Sequence, residues 1–168
     1  MVKVSVLLPV RDARETLDEC LASLASQTLA EHEVVAVDDG SGDGSSERLR
    51  EAARADPRLR VVSGRGRGLV AALNDGLAHV RAPLVARMDA DDVAHPDRLL
   101  RQAHRLDAEP ALTALGSRVR LVGSPGTGND GMRAYVDWQN GLLEPERIAR
   151  ELFVESPLVH PSVTLRTE

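Results

Sequence analysis

Short apolar runs alternate with longer amphipathic stretches through the first two thirds of the chain. Val4-Ser5-Val6-Leu7-Leu8 is a nearly continuous apolar run closing at Pro9, the pattern of a strand covered on both faces. Leu17, Cys20, Leu21, Leu24 and Ala25 then recur at helical spacing. Glu33 to Val37 is a second, valine-rich run that ends at Asp38-Asp39-Gly40. The polar, glycine-rich stretch from Ser41 to Ser46 leads into a charged helix reaching Ala55. Leu59 to Val62 predicts a third strand, and Gly64 to Gly68 a loop. Leu69, Ala72, Leu73, Gly76, Leu77 and Val80 form the next helical stripe. A fourth strand is predicted from Pro83 to Met88, running into Asp89. Pro96 stands where a helix can begin, and Leu99, Leu100, Ala103 and Leu106 carry that helix to Asp107. Strand and helix alternating in this way predict an α/β fold with a mostly parallel sheet and right-handed crossovers.

The pattern then loosens. Leu112 to Val122 reads as one or two strands, Gly123 to Gly131 as a loop, and Glu144 to Phe153 as a short helix opened by Pro145. The stretch from Pro157 to Leu165 ends in a strand-like run.

A length of 168 residues suits one domain, or one domain with an appendage. Aromatics make up only 2%, namely Tyr135, Trp138 and Phe153, so Val, Leu and Ala must build the core. The stacking platform of a single-stranded nucleic-acid binder is therefore missing. A net charge of -5 also disfavours a polyanionic partner, whereas a small anionic substrate can be held if a cation sits between it and the protein. Cys20 is the single cysteine, which excludes an internal disulfide and fits a reducing compartment. No apolar run approaches the ~20 residues of a membrane span.

Acidic residues close two of the predicted strands: Asp38-Asp39 the second, and Asp89, Asp91 and Asp92 the fourth. Ligands of open parallel sheets bind outside the carboxyl ends of the strands, so both clusters are expected on one edge. In Asp89-Ala90-Asp91 the spacing of two puts both carboxylates on one side of an extended segment, where they can share a hard divalent ion, Mn²⁺ or Mg²⁺. Such an ion would stabilise charge growing on a leaving diphosphate. Asp38 and Asp39 can accept hydrogen bonds from a nucleoside, or the segment can simply lead into a helix N-cap at Ser41 or Asp43. Arg65 and Arg67 stand in a glycine-alternating loop that matches neither the dinucleotide fingerprint nor a P-loop; they can meet phosphate oxygens or remain solvated. Of the five histidines, His95 and His160 are placed to reach a site; His32, His79 and His104 read as structural or solvated. Trp138 can stack on a sugar ring or fill the core.

These pieces, taken in order, resemble the inverting glycosyltransferases of family 2. The resemblance runs through Val4 to Val10, Leu17 to Thr28 with its Ser26-Gln27-Thr28 ending, and Val37 to Ser41. It continues through Asn74 to Leu77, Met88 to Asp92, His95-Pro96 and Val159 to Val163. It implies a GT-A fold, Rossmann-like, with helices on both faces of the sheet. Residues 1–122 would form the nucleotide-sugar-binding core, and 123–168 would begin an acceptor-side segment. Asp39 would contact the base with Asp38 beside it, and Pro9, Val10 and Arg11 would line the nucleoside pocket. Asp89 would approach the ribose or the metal shell, and Asp91 would bind the cation. Arg67, His160 and Trp138 are candidates for phosphate or acceptor contacts.

The implied reaction passes a sugar from a UDP-, GDP- or dTDP-sugar to a carbohydrate, lipid-linked or protein acceptor with inversion. Asp12 stands where many members carry Asn. The family's catalytic base, an Asp in an acidic-aromatic motif, falls beyond Glu168, which predicts that the chain is a fragment of a longer protein. A cytoplasmic location is expected, with the full-length protein peripheral at the inner face of the membrane. Two alternatives follow from the same residues: a binding module that lost transfer, and a sugar-phosphate nucleotidyltransferase. The second needs a glycine-rich loop after the first strand, and Pro9-Val10-Arg11-Asp12 has no glycine.

Overall fold

The computed structural model describes residues 1–122 and 130–167. Most of the predicted loop from Gly123 to Gly131, and Glu168, lie outside the described residues. The elements run β1 (Val4–Val10), α1 (Leu17–Ala25), β2 (His32–Asp38), α2 (Ser45–Ala55), β3 (Leu59–Ser63), α3 (Leu69–Leu77), β4 (Leu84–Arg87) and α4 (Arg98–Ala108). They continue with β5 (Ala114–Leu115), α5 (Asp130–Asn140), α6 (Pro145–Glu151), a 3₁₀ turn (His160–Ser162) and β6 (Thr164–Arg166).

The sheet order is β3-β2-β1-β4-β6-β5. β3, β2, β1 and β4 are parallel to their neighbours, β6 is antiparallel to β4, and β5 is antiparallel to β6. This is the mostly parallel α/β sheet that the alternating pattern predicts.

Strand alternation divides the core in two. Val4, Val6, Leu8 and Val10 of β1 join Val34 and Ala36 of β2 and Leu84 and Ala86 of β4 on one face. Leu17, Cys20 and Leu24 of α1, Leu49 of α2, and Leu99, Ala103 and Leu106 of α4 cover that face. Leu7, Val35, Val37 and Val85 point the other way, against Ala72 of α3. Burial on both faces explains why β1 and β2 read as continuous apolar runs. On the second face α3 lies very close to the sheet: a Cβ on Gly76 would come within 2.3 Å of Leu7 Cδ1 and 2.8 Å of Val37 Cγ2. At the amino end of the sheet the buried Glu33 accepts from Ser5 Oγ (2.7 Å) and from the Arg81 N–H (3.0 Å), and pairs with Arg60 (3.1 Å). That cluster fixes the turn from α3 into β4.

Two expectations are corrected, and one helix was not anticipated. The apolar stretch from Leu112 to Val122 contributes only the two-residue β5. Beyond it the Asn140 side chain takes the place of a neighbouring strand, donating to the Val119 carbonyl (2.7 Å) and accepting from the Val119 N–H (2.9 Å). α4 begins at Arg98 rather than at Pro96, which lies in the turn before it. α5 has no counterpart in the sequence reading; only Val136 and Gln139 of its residues are buried, too few to mark a stripe. Among the described residues no helix is long and apolar enough to cross a membrane.

Candidate functional site

The carboxyl ends of β1, β2 and β4 open into one cavity of about 880 Å³. Pro9, Val10, Arg11, Asp39, Asp89 and Asp91 line it, together with Thr16, Asp43, Leu69 and Ala72. The first six were singled out from sequence; the other four were missed as site residues. It lies between β1 and β4, where the chain reverses its direction of travel across the sheet, the usual ligand position in such folds. A second groove, about 1540 Å³, continues from the acidic loop past Arg87, His95, Arg98 and Gln139 to His160. Asp89 and Asp91 line both spaces.

Asp39 is buried, with 3% of its surface exposed. Its carboxylate accepts from the backbone N–H groups of Arg67 (3.1 Å) and Gly68 (2.7 Å). The Arg11 guanidinium stands 3.7 Å away. The loop from Gly64 to Gly68 thus wraps around this one side chain. It needs glycine for two reasons: a Cβ on Gly64 would press within 2.9 Å of the Asp39 carboxylate, and Gly66 and Gly68 have φ of 65° and 91°.

Asp38 is turned elsewhere. It accepts from the Ser41 N–H (3.0 Å) and from Ser46 Oγ, and does not line the cavity. Burial pushes its carboxyl up, but these hydrogen bonds outweigh burial and hold it below the ordinary range. Asp12 has a positive φ of 49° and ties the neighbouring loops together, accepting from the Gly42 N–H (2.8 Å) while its own N–H donates to Ser41 Oγ (3.1 Å). Asp and Asn are the residues that tolerate this conformation best after glycine.

The acidic loop converges through a turn rather than by strand alternation. The Asp92 N–H donates to the Asp89 carbonyl (3.2 Å), which draws Asp92 in beside Asp89 and Asp91. One carboxylate oxygen of each of the three lies within 4.8 Å of those of the other two. Burial raises the Asp92 carboxyl above its ordinary value, and repulsion from Asp91 and Asp89 adds to the rise. An all-oxygen set carrying mutual repulsion suits a hard divalent ion, so the residues fit Mg²⁺ or Mn²⁺.

α1 holds this loop in place. Thr16 Oγ1 donates to the Ala90 carbonyl (3.0 Å), the Cys20 thiol to the Asp89 carbonyl (3.5 Å), and the Ala94 N–H to Ser23 Oγ (3.0 Å). Burial, reinforced by Asp92, Asp91 and Asp89, pushes the Cys20 thiol up to about 12, so it stays protonated. Gln27 reaches across to donate to the His95 carbonyl (2.8 Å) and accept from the Leu99 N–H (3.1 Å). The Ser26-Gln27-Thr28 ending therefore docks the start of α4, a role its sequence resemblance did not disclose.

The remaining candidates are not brought to the cavity. The Arg67 side chain pairs with Asp75 (3.2 Å). Trp138 stacks on Tyr135 with ring centroids 5.5 Å apart, and lines neither space. His160 faces the larger groove, its Nε2 2.9 Å from Ser156 Oγ. Arg98 and Gln102 were not anticipated. Gln102 donates to the Ser162 carbonyl (2.8 Å) and Ser117 Oγ (2.9 Å) and accepts from Thr164 Oγ1 (2.7 Å), joining α4 to β6. Arg98, brought down to about 10 by burial, donates to the Arg87 carbonyl (2.8 Å).

A cavity of this size at the switch point of a mostly parallel sheet, with Asp89 and Asp91 on its wall and Asp92 beside them, is the arrangement of a glycosyltransferase domain of the GT-A fold. The family model described as "Glycosyl transferase family 2" matches residues 5–166, and the chain belongs to that family. A protein of Haemophilus influenzae, named an uncharacterised glycosyltransferase, is 28% identical over 97% of this chain and 51% of its own length. The O-antigen biosynthesis protein RfbC of Myxococcus xanthus is 40% identical over 67% of this chain and 9% of its own. Among solved structures, the mannosyltransferase PcManGT of Pyrobaculum calidifontis, in complex with GDP-Man and Mn²⁺, is 30% identical with a TM-score of 0.66. That match covers 70% of this chain and 36% of PcManGT. The chain thus spans about half the length of the Haemophilus relative, and less of the other two.

Proposed function

We propose that this chain binds a nucleoside-diphosphate sugar through a divalent cation and serves the passage of the sugar to an acceptor hydroxyl with inversion. The observation that carries this is the meeting of Asp39, Asp89 and Asp91 in one cavity, with Asp92 clustered beside the last two on the side of the larger groove. The nucleoside lies against Pro9, Val10 and Arg11, with Asp39 accepting from the base. Asp91, with Asp89 and Asp92, would hold Mn²⁺ or Mg²⁺ where a diphosphate is bound. When bound, the ion offsets charge on the departing diphosphate. That PcManGT is in complex with both GDP-Man and Mn²⁺ supports the pairing of a nucleotide sugar with a divalent cation.

The groove running from Asp91 to His160 receives the acceptor; it is lined both by the donor-side core of residues 1–122 and by the acceptor-side segment that 123–168 begins. An inverting displacement needs a carboxylate beside the acceptor hydroxyl to take its proton. A saccharide acceptor accords with the likeness to RfbC, an O-antigen biosynthesis protein.

Calorimetry with UDP and GDP, each with and without Mn²⁺, tests this reading. One nucleotide should bind in the presence of Mn²⁺, and Asp91→Asn should weaken that binding by about tenfold or more, a loss of about 1.4 kcal/mol or more. No binding of either nucleotide with Mn²⁺ present would overturn it.

A further inference from the structure

Arg87, the last residue of β4, holds Asp89 by both oxygens: Nη1 donates to Oδ2 and Nη2 to Oδ1, each at 2.6 Å. This planar fork fixes both the position and the orientation of the carboxylate. The pair is substantially desolvated, with the Arg87 side chain 14% exposed and that of Asp89 32%. The arginine backbone is itself pinned, its N–H donating to the Val163 carbonyl (2.8 Å) and its carbonyl accepting from Arg98 (2.8 Å). Arg87 lines only the larger groove, whereas Asp89 lines both spaces, so the guanidinium reaches the acidic cluster from the side away from the nucleotide cavity.

Resting on the donor-binding reading above, we propose that Arg87 is a positioning residue that keeps the cation site weak until a diphosphate arrives. Three carboxylates gathered within 4.8 Å would attract a divalent ion unaided. A guanidinium locked onto one of them cancels a unit of that charge and repels the incoming ion at short range. It also leaves Asp89 oriented by hydrogen bonds on one side only, with lone pairs still free. A nucleoside diphosphate restores the missing negative charge from the other side, so ion and nucleotide bind together far better than either binds alone. Such mutual dependence is a coupling between two ligands, and it is reciprocal.

The experiment titrates Mn²⁺ alone into the nucleotide-free protein and reads the free aquo ion by electron paramagnetic resonance, then repeats the titration with saturating GDP or UDP. Arg87→Met should tighten Mn²⁺ binding without nucleotide by about tenfold or more. Tenfold is a floor: one unit charge a few ångströms from a divalent ion at an effective dielectric of about 20 would give a larger factor, which water and salt at this partly exposed cluster reduce. The same variant should shrink the factor by which nucleotide enhances Mn²⁺ binding. Arg87→Lys, which keeps the charge and loses the fork, should bind free Mn²⁺ nearly as weakly as the wild type; a purely structural arginine would give no such rescue. Arg87→Gln serves as the second neutral variant if Arg87→Met does not fold, judged by its metal-free melting curve. Unchanged or weaker free-ion affinity in the folded neutral variants would overturn the role of Arg87. Failure of the wild type to bind any nucleotide with Mn²⁺ would instead overturn the donor-binding reading.

Discussion

Replacing Gly76 by alanine should destabilise the domain, although alanine is the better helix former. The new methyl would stand 2.3 Å from Leu7 Cδ1 and 2.8 Å from Val37 Cγ2. Carbon atoms pack at about 3.5–4.0 Å, so the Leu7 methyl must retreat by more than ~1 Å and the Val37 methyl by nearly as much. Leu7 can swing at its far end, but it is 3% exposed and packed with Ala72 and Val85. Val37 is fully buried and β-branched, with little rotamer freedom. Overpacking of this kind costs about 1–3 kcal/mol, and two simultaneous clashes place it in the upper half of that range. The helix propensity of alanine over glycine returns about 1 kcal/mol.

The net expectation is a loss of about 1–2 kcal/mol, or a fall in Tm of about 2–8 °C for a chain of this size. Urea titration with tryptophan fluorescence reads it directly. A cycle with Leu7→Ala sharpens the test. In that background the clash with Leu7 is gone and only that with Val37 remains, so Gly76→Ala should cost clearly less than in the wild type. Stabilisation by Gly76→Ala in the wild-type background would refute the close approach of α3 to the sheet.

Two further perturbations probe other parts of the fold. His32 is buried and its Nδ1 lies 2.6 Å from the Leu29 carbonyl; burial holds the imidazole below its ordinary value of 6.5. The unfolded chain therefore binds the proton first, so this stabilisation is complete above about pH 6.5 and is lost as pH falls through the folded-state value. His32→Gln should lower stability at pH 7.5 and narrow the difference from wild type on acidification, followed by urea titration at several pH values; a gap that widens towards acid would contradict this. Gln102→Leu leaves the Thr164 hydroxyl and the Ser162 carbonyl without their partner, at about 1–3 kcal/mol for each group left unsatisfied. Faster hydrogen exchange at the β6 amides, with β1 and β2 unaffected, is the expected signature.

The parallel half of the fold was legible because its strands are buried on both faces and its helices carry regular stripes. Val4 to Val10 and Glu33 to Val37 announce themselves without any partner in view. The acidic strand ends were legible for the same reason, since topology alone sends Asp39 and Asp89 to one edge. What periodicity did not reach were contacts between side chain and backbone. Asn140 completing the backbone of Val119, Gln27 bridging to His95 and Leu99, and Asp38 turning to Ser41 and Ser46 leave no periodic trace. Asp92 joined the acidic cluster through a turn hydrogen bond that a strand-based spacing argument does not contain. α5 was missed because its buried face is narrow and carries Gln139.

The wrapping of residues 64–68 around Asp39 also bears on kinetics. Because main-chain donors already occupy part of that carboxylate, the cradle is complete before any guest arrives. A visiting nucleoside then has no loop to immobilise, and little of its contact energy is spent on ordering the host. Association should accordingly proceed in one concentration-dependent phase, with differences between guests appearing in how long each one stays.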